Sequence, residues 1–307
     1  MSEAAARYAL AVDIGGTKVE AALVSGSGEV VQASRSRVPT GRAITRGGLE
    51  QAAADAASQA LAHLAPGDSV VGVGVGSAGP VDLPSRTVAP LNMPDAAGAG
   101  FALLEQAASA PVTLALDGTC IALAEHRFGA ARGARNALAL VVSTGVGGGL
   151  IVDGRPARGK SGNAGHVGQL RIEPRGDGDI DAGTVEQIAS GPHIVRWAQA
   201  KGWRGETGED LARDAAAGLP LAVAAVERSA FAVGTAIANV STLLDLDVAV
   251  IAGGFSGVSP DYIPLVAAAV REQAMLPYAR TVEVRASGLD GAGPLIGAAV
   301  LAFDAAG

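Results

Sequence analysis

Short apolar runs and alanine-rich stretches alternate along this chain of 307 residues. The short runs are rich in Val, Ile and Leu and end at Gly, Asp or Ser, which is typical of buried strands. They predict strands at residues 8–12, 18–24, 29–38, 70–75, 112–116, 137–142, 149–152, 248–252 and 281–285. Longer segments with an apolar face predict helices at residues 48–64, 101–109, 119–131, 262–273 and 295–303, and further helices before residue 244. Strands that alternate with helices predict an α/β protein.

The order of elements repeats once along the chain. Each half begins with an apolar strand, passes through a glycine-rich turn and returns in a second strand, near residues 8–24 and again near residues 137–152. A repeat of this length indicates an ancient duplication rather than a short-period solenoid. We therefore expect two lobes, with the boundary near residue 118.

Composition narrows the class of protein. With 49% hydrophobic residues, the chain is long enough to bury two compact cores. A net charge of −7 argues against a nucleic-acid-binding surface, and 3% aromatic residues argue against stacking platforms for bases. One cysteine, Cys120, permits no internal disulfide and fits a reducing compartment. We find no secretory signal and no apolar run long enough to span a membrane, so we expect a cytoplasmic protein that binds neither nucleic acid nor membrane.

The first glycine-rich turn, Asp-Ile-Gly-Gly-Thr-Lys, has the residue types of a phosphate site. Gly15 and Gly16 carry no Cβ, so their backbone N–H groups can approach an anion closely. Asp13 can reach a magnesium ion directly or through water, while Thr17 and Lys18 can hold phosphate. The alternative for this motif on its own is an ordinary hairpin turn.

Two further glycine-rich turns follow apolar strands in the second half. One is the run Ser-Thr-Gly-Val-Gly-Gly-Gly, and the other is Ala-Gly-Gly-Phe-Ser. Because each glycine costs roughly 0.5–1 kcal/mol of backbone entropy, so many of them in one turn favour the close approach of a ligand. The candidate nucleotide-binding residues are Ser143, Thr144, Gly145, Gly147, Gly253 and Gly254.

Two common phosphate motifs do not fit this sequence. No Gly-x-x-x-x-Gly-Lys-Ser/Thr is present, which disfavours a P-loop enzyme. The pattern Gly-x-Gly-x-x-Gly does occur at residues 74–79, but Pro80 and Pro84 follow where that motif needs a helix. The acidic residue expected after the next strand is also missing, so a Rossmann dehydrogenase is disfavoured.

Together these motifs resemble the ROK family of sugar kinases, which share the two-lobed actin-like, ribonuclease-H-like ATPase fold of hexokinases. The resemblance covers almost the whole chain and rests on several motifs in the family's order. They are residues 13–18, 76–82, 117 with 124–125, 142–149, 162–168 and 186–191. The expected lobes are residues 1–117, completed by the C-terminal helix at 292–307, and residues 118–291.

The resemblance implies a role for each candidate residue. Asp117 matches the catalytic aspartate, which accepts the proton of the attacking sugar hydroxyl. Because a helix is predicted from residue 119, the alternative for Asp117 is a helix N-cap. Both phosphate loops would hold magnesium-ATP, with Gly253 and Gly254 beside the adenosine. The implied sugar-binding residues are Gly79, Asn92, Asp117, Asn163, His166, Gln169 and Glu186.

Some positions depart from the family pattern. Leu116 stands where the family usually has an Asn before the catalytic aspartate, so one sugar contact is lost. His166 and Gln169 stand where family glucokinases commonly have Glu and His. A His at the first of these positions is similar to bacterial N-acetylmannosamine kinases and favours an N-acetylhexosamine as substrate. We interpret Cys120 as a small buried hydrophobic residue.

Most family members also hold a structural zinc with one His and three Cys. The corresponding residues here are Gln169, Asp177, Asp179 and Thr184, which do not supply thiolate or imidazole ligands, so we expect no zinc. Asp177, Asp179 and Asp181 could hold a hard cation, but a solvated acidic loop is the simpler interpretation.

The sequence therefore predicts a kinase that uses ATP and Mg²⁺ to phosphorylate the 6-hydroxyl of a hexose or N-acetylhexosamine, with glucose and N-acetylmannosamine favoured. The resemblance implies a homodimer. One alternative is a sugar-binding sensor without turnover, motivated by Leu116 and the lost zinc ligands. The other is a repressor of the same family, which needs an N-terminal helix-turn-helix domain that we do not expect ahead of the first strand.

Overall fold

The computed structural model describes residues 5–172 and 183–307. Its strands are β1 (Arg7–Ile14), β2 (Lys18–Ser25), β3 (Ser36–Pro39), β4 (Ser69–Ser77), β5 (Val81–Asp82), β6 (Thr87–Val88), β7 (Val112–Leu116), β8 (Ala137–Val142), β9 (Val146–Val152), β10 (Arg155–Pro156), β11 (Val248–Ala252) and β12 (Glu283–Ala286). Its helices are α1 (Arg46–Leu61), α2 (Ala102–Ala108), α3 (Asp117–Arg127), α4 (Val185–Ala189), α5 (Gly191–Ala200), α6 (Gly208–Ala216), α7 (Pro220–Leu244), α8 (Tyr262–Gln273) and α9 (Gly293–Ala306). Asp177, Asp179 and Asp181 lie outside the described residues.

The same strand order occurs in two five-stranded sheets. The first sheet has the order β3-β2-β1-β4-β7, and the second has the order β10-β9-β8-β11-β12. In each sheet the central strand is antiparallel to its hairpin partner and parallel to the strand on its other side. When the short hairpin of β5 and β6 is left out and the strands of each half are numbered from one to five along the chain, both sheets have the order 3-2-1-4-5. The internal repeat predicted from the sequence is therefore present in the strand order.

Helices pack on both faces of the first sheet, because successive side chains of β1 point to opposite faces and both sets are apolar. Leu10, Val12 and Ile14 point to one face and form a core with Leu49 of α1. On the opposite face, α9 packs on β1 and β4 and against α3. The Ala298 carbonyl oxygen of α9 lies only 1.7 Å from where a Cβ on Gly74 would be. Glycine in β4 is therefore what lets α9 lie this close to the sheet.

Helices α4 to α8 and the second sheet share a second hydrophobic core. Its longest element, α7, is apolar and long enough by composition to cross a membrane, contrary to the expectation that every apolar run is too short. Because 67% of its most apolar window is buried against the rest of the protein, we assign α7 as a core helix.

Packing divides the chain into two compact units. The first comprises the chain up to Phe128, Pro156–Ala164 and Leu289–Gly307, and the second comprises Gly129–Arg155 and Gly165–Gly288. α3 and the segment Pro156–Ala164 thus pack with the first unit. The lobe boundaries at residues 117 and 291 stay a prediction.

One predicted strand is much shorter in the structure. The pattern predicts a strand at residues 29–38, but apart from one bridge between Val30 and Val24 the strand is limited to β3, which follows a 3₁₀ turn at Gln32–Ser34. The Ser34 hydroxyl accepts a hydrogen bond from the backbone N of Leu23 at 2.9 Å and donates to the carbonyl of Val31 at 2.7 Å. Local bonds of a serine to the backbone compete with strand pairing, which explains the turn.

Candidate active site

Two carboxylates lie at one edge of the first sheet, where its parallel strands end. Asp13 is near the end of β1 and pairs in register with Gly76 of β4, which pairs with Ala115 of β7. Asp117 follows β7 directly. The carboxyl ends of parallel strands meet at one edge of a sheet, where ligands of α/β proteins bind. The fold therefore brings Asp13 and Asp117 together from opposite sides of β4.

Asp117 is the first residue of α3 and not its N-cap. The N-cap position belongs to Leu116, whose buried side chain joins the hydrophobic core of the first unit. Asp117 Oδ1 accepts a hydrogen bond from the backbone N of Gly118 at 2.6 Å. Burial raises the pKa of Asp117 to about 6, against the opposing effect of that hydrogen bond. A carboxylate with this pKa is mostly ionised at neutral pH and suits a general base.

Asp13 has an even stronger preference for its protonated form. Burial, which is the largest cause, and the negative charges of Asp117 and Glu20 together raise its pKa to about 7. Lys18 and Arg35 act in the opposite direction. A carboxylate that is desolvated and next to another carboxylate is stabilised by a cation, so Asp13 has the electrostatic properties of a metal-binding residue.

Backbone hydrogen bonds shape the turn from β1 to β2. The backbone N of Gly15 donates to the carbonyl of Lys18 at 3.0 Å, and the carbonyl of Thr17 accepts from the backbone N of Thr40 at 2.9 Å. The Thr17 side chain is exposed. The turn is thus a hairpin with an accessible tip, and a role in binding phosphate stays a prediction for Gly15, Gly16, Thr17 and Lys18.

Asn92 lies directly over this turn. A Cβ on Gly16 would be 2.2 Å from Nδ2 of Asn92, so a side chain at residue 16 would require the Asn92 amide to move. Gly79 is tied to the same segment, because its carbonyl accepts a hydrogen bond from the backbone N of Leu91 at 3.3 Å. The structure therefore brings the predicted sugar ligands Asn92 and Gly79 next to the predicted phosphate turn.

The Asn163 side chain forms hydrogen bonds with the backbone of the first unit. Its Oδ1 accepts from the backbone N of Val81 at 2.8 Å, and its Nδ2 donates to the carbonyl of Val81 at 2.7 Å and to Ser161 Oγ at 3.1 Å. These bonds fasten the segment Pro156–Ala164 to β5. Contact between Asn163 and a sugar stays a prediction, and the observed bonds give this side chain a structural role.

The second glycine-rich run divides between a turn and a strand. Ser143, Thr144 and Gly145 form the turn, in which the backbone N of Ser143 donates to the carbonyl of Gly145 at 2.9 Å. Gly147 belongs to β9, as do the next two glycines. The carbonyl of Ser143 accepts from the backbone N of Gly191 at 2.9 Å, which joins this turn to the start of α5.

A cavity of about 630 Å³ opens beside this turn in the second unit. Ser143, Thr144 and Gly254 contribute to one part of its wall. Its apolar lining includes Val195, Ala212, Phe255 and Val258, and its polar lining includes Arg196, Gln199, Glu206 and Glu209. The volume falls within the range of about 300–1,000 Å³ that is typical of small-molecule sites. An apolar cavity with hydroxyls and glycines in its wall fits a nucleotide.

Three predicted sugar ligands lie together in the second unit. Glu186 Oε2 accepts a hydrogen bond from the backbone N of Val146 at 2.9 Å, and Gln169 Nε2 donates to Glu186 Oε1 at 3.5 Å. Burial lowers the pKa of His166 below its ordinary value, against the charge of Glu186. The Nε2 atom of His166 is buried and has no hydrogen-bond partner among the described residues. A neutral imidazole with an unpaired nitrogen is suited to bind a polar ligand group.

The structure adds residues that the motifs did not identify. Glu20 of β2 is buried and accepts hydrogen bonds from Lys18, Arg35 and Arg37. A glutamate inside a strand that is otherwise apolar, two residues after a lysine, was the available signal. Arg35 and Arg37 gave no such signal, because their contact with Glu20 depends on how β2 pairs with β3.

The carboxylates at the sheet edge fit magnesium that arrives with a nucleotide. Mg²⁺ prefers oxygen ligands and keeps several waters, so one or two carboxylates and phosphate oxygens are enough. Within residues 5–172 and 183–307, no group of three or more His, Cys, Asp and Glu side chains could hold a metal ion.

Thr184 is one of the residues that correspond to the zinc ligands of the family. Its hydroxyl caps α4 by accepting a hydrogen bond from the backbone N of Gln187. The absence of zinc stays a prediction.

The sequence matches the ROK family over residues 9–305. It is 30% identical to a glucokinase of Streptomyces coelicolor over 80% of this chain and 82% of that protein. It is 34% identical to an N-acetylmannosamine kinase of Vibrio cholerae over 83% of this chain and 86% of that protein. A kanosamine kinase of Amycolatopsis mediterranei is 32% identical over 96% of both chains.

A solved structure with the same fold contains both ligands of a sugar kinase. It is a ROK family glucokinase from Streptomyces griseus in complex with glucose and AMPPNP, which aligns with a TM-score of 0.79 at 29% identity. The alignment covers 97% of this chain and 99% of that one. The two-lobed actin-like sugar kinase fold expected from the sequence is confirmed.

Proposed function

Since the chain belongs to the ROK family and is an ATP-dependent sugar kinase, we propose that it transfers the γ-phosphate of ATP to the 6-hydroxyl of a hexose or N-acetylhexosamine. The observation that carries this proposal is the pair of carboxylates, Asp13 and Asp117, at the carboxyl edge of the first sheet. Phosphoryl transfer needs a base for the attacking hydroxyl and a site for the metal that accompanies ATP.

Asp117 is the proposed catalytic base. With a pKa of about 6, its carboxylate is ionised at neutral pH and accepts the proton of the sugar hydroxyl as the oxygen attacks the γ-phosphorus. Asp13 would hold Mg²⁺, directly or through water. When bound, the ion would offset the negative charge of the phosphates. Asp13 would then lose its proton to the solvent, because a cation favours the ionised carboxyl.

The nucleotide is proposed to use the glycine-rich turns and the cavity of the second unit. Val195 and Val258 supply apolar surface for a base, and Ser143 and Thr144 supply hydroxyls for phosphate oxygens. Gly253 and Gly254 would lie beside the adenosine. In the first unit, Gly15 to Lys18 would contact phosphate.

The sugar is proposed to contact Asn92, Gly79 and the group of His166, Gln169 and Glu186. The unpaired Nε2 of His166 supports this assignment, because a buried nitrogen without a partner costs free energy until a ligand satisfies it. An acetamido group offers a carbonyl oxygen to the N–H of a neutral His166 whose proton is on Nε2. This favours an N-acetylhexosamine such as N-acetylmannosamine over glucose.

The test is ADP release by the purified protein with magnesium-ATP and a panel of sugars. The panel contains glucose, mannose, fructose, kanosamine, N-acetylglucosamine and N-acetylmannosamine, and the phosphorylated carbon is identified by NMR of the product. We expect turnover with at least one sugar and phosphate on its 6-hydroxyl. Sugar binding in a calorimeter without ADP release would instead indicate a sensor.

The proposal includes a homodimer, as the family resemblance implies, and a cytoplasmic location, which the single cysteine favours. Light scattering coupled to size-exclusion chromatography measures the mass of the assembly, and a monomer at working concentration would contradict this part alone.

A further inference from the structure

One buried carboxylate of the first sheet has three basic partners. Glu20 Oε2 accepts from the Lys18 ammonium, and Glu20 Oε1 accepts from the Nε atoms of Arg35 and Arg37, the latter at 3.2 Å. The Glu20 side chain is only 4% exposed. A buried carboxylate costs free energy unless it is paired, and one basic partner would balance its charge. Three partners are more than pairing alone requires.

The pairing of strands places this group beside the proposed metal site. Glu20 lies opposite Asp13 in the antiparallel register of β1 and β2, and opposite Arg37 in the register of β2 and β3. Residues that lie opposite each other in antiparallel strands point to the same face. Lys18 lies two residues before Glu20 on β2, so its side chain also projects from that face.

Lys18 keeps the capacity to bind an anion in this arrangement. Its ammonium has three N–H donors, and its side chain is 40% exposed. Arg35 and Arg37 offset the charge of Glu20, so the four groups together carry a net charge of +2. The carboxylate can thus hold the ammonium in place without cancelling the positive charge that attracts phosphate.

We infer that Glu20 is a positioning residue, which fixes the Lys18 ammonium beside the turn Gly15 to Thr17 so that it meets the terminal phosphates of ATP. This inference rests on the proposed function. Glu20 itself is buried behind Lys18 and would not touch the nucleotide. Its effect on ATP should therefore pass through Lys18 and should be small for a nucleotide that lacks the terminal phosphates.

The experiment compares the affinities of magnesium-ATP and AMP by calorimetry in the wild type, Glu20→Gln, Lys18→Met and the double variant. We expect Glu20→Gln to weaken ATP binding by about tenfold, the size of one charged hydrogen bond, and to change AMP binding less than about twofold. In the Lys18→Met background, Glu20→Gln should have no further effect on ATP binding. Glu105→Gln, which removes an ion pair with Arg86 in the same unit, is the control and should change neither affinity.

Two further variants separate positioning from folding. Glu20→Gln leaves three cations close together, so Glu20→Gln/Arg37→Gln restores the charge balance while Lys18 stays without its anchor. Glu20→Asp keeps the charge and should recover part of the ATP affinity. An equal loss of ATP and AMP affinity, or a full effect of Glu20→Gln in the Lys18→Met background, would overturn the inference. A wild type without sugar-dependent ADP release would contradict the proposed function alone, since the binding comparison does not need turnover.

Discussion

The charge of Asp117 raises the pKa of Asp13, although one full strand, β4, separates the two residues in the sheet. The two carboxylates are therefore electrostatically coupled before any ligand binds. Neutralisation of one should make ionisation of the other easier. A cation bound at Asp13 would lower the pKa of Asp117 in the same way and keep the proposed base ready to accept a proton.

Replacement of Asp117 tests the proposed base. We expect Asp117→Asn to lower kcat by a factor on the order of 10²–10⁴, because an amide cannot accept the hydroxyl proton. Sugar affinity, measured by calorimetry, should change little, since the amide keeps the size of the side chain. Asp55→Asn is the control, as Asp55 is exposed on α1 and bonded to Gln51. Turnover of Asp117→Asn at the wild-type rate would remove Asp117 from the mechanism.

The value of kcat/KM should fall on the acidic side of its pH profile, and this fall should begin near neutral pH. The carboxyls of Asp13 and Asp117 have raised pKa values of about 7 and about 6, so both become protonated as pH falls through this range. We expect kcat/KM to decline below about pH 7 for this reason. Higher magnesium should move this fall toward lower pH, because the ion competes with the proton at Asp13. A fall that is insensitive to magnesium would contradict the assignment of Asp13.

The raised pKa of Asp13 also predicts that the folded protein becomes more stable when this residue is replaced by a neutral one. A carboxyl with a pKa higher in the folded protein than in the unfolded chain destabilises the fold as pH rises above the unfolded value of 3.8, and the cost is complete above pH 7. Asp13→Asn should therefore raise Tm at pH 8, and the gain should shrink as pH falls toward 4. Thermal unfolding followed by circular dichroism across this range measures the effect. A gain that is constant with pH would show that charge is not its cause.

Gly16→Ala tests the contact between the phosphate turn and Asn92. The new methyl would lie 2.2 Å from Nδ2 of Asn92, and this flexible amide would have to move. We expect a raised KM for the sugar with little change in Tm. Gly47→Ala is the matched control, because a Cβ there has nothing within 4 Å. If Asn92 does not contact the sugar, Gly16→Ala and Gly47→Ala should show the same KM.

The sequence singled out both carboxylates, Asp13 from the glycine-rich turn and Asp117 from the family resemblance, but it did not predict that they lie together. Asp13 and Asp117 each follow or end an apolar run, and parallel strands bring such positions to one edge. Because Gly118 and Thr119 are weak helix formers, the sequence predicts that helix α3 begins at residue 119, whereas in the structure it begins at Asp117.

The environment of Glu20 could not be predicted, because it depends on tertiary register. Arg35 and Arg37 lie 15 and 17 residues beyond Glu20, in a segment that the pattern assigned to one continuous strand. A shift of one residue in the pairing of β2 with β3 would turn Arg37 to the other face. The bond between Asn163 and Val81, 82 residues apart, depends on tertiary structure in the same way.

The division of the chain between the two units sets an order for their completion during synthesis. The first unit needs α9, which packs on β1, β2 and β4, although those strands are made first. The second unit is one stretch of the chain that ends at Gly288, interrupted only by Pro156–Ala164, which belongs to the first unit. The residues of the second unit are therefore all made before the helix that completes the first sheet, so the N-terminal unit is the one completed last, the reverse of the usual N-terminal-first order.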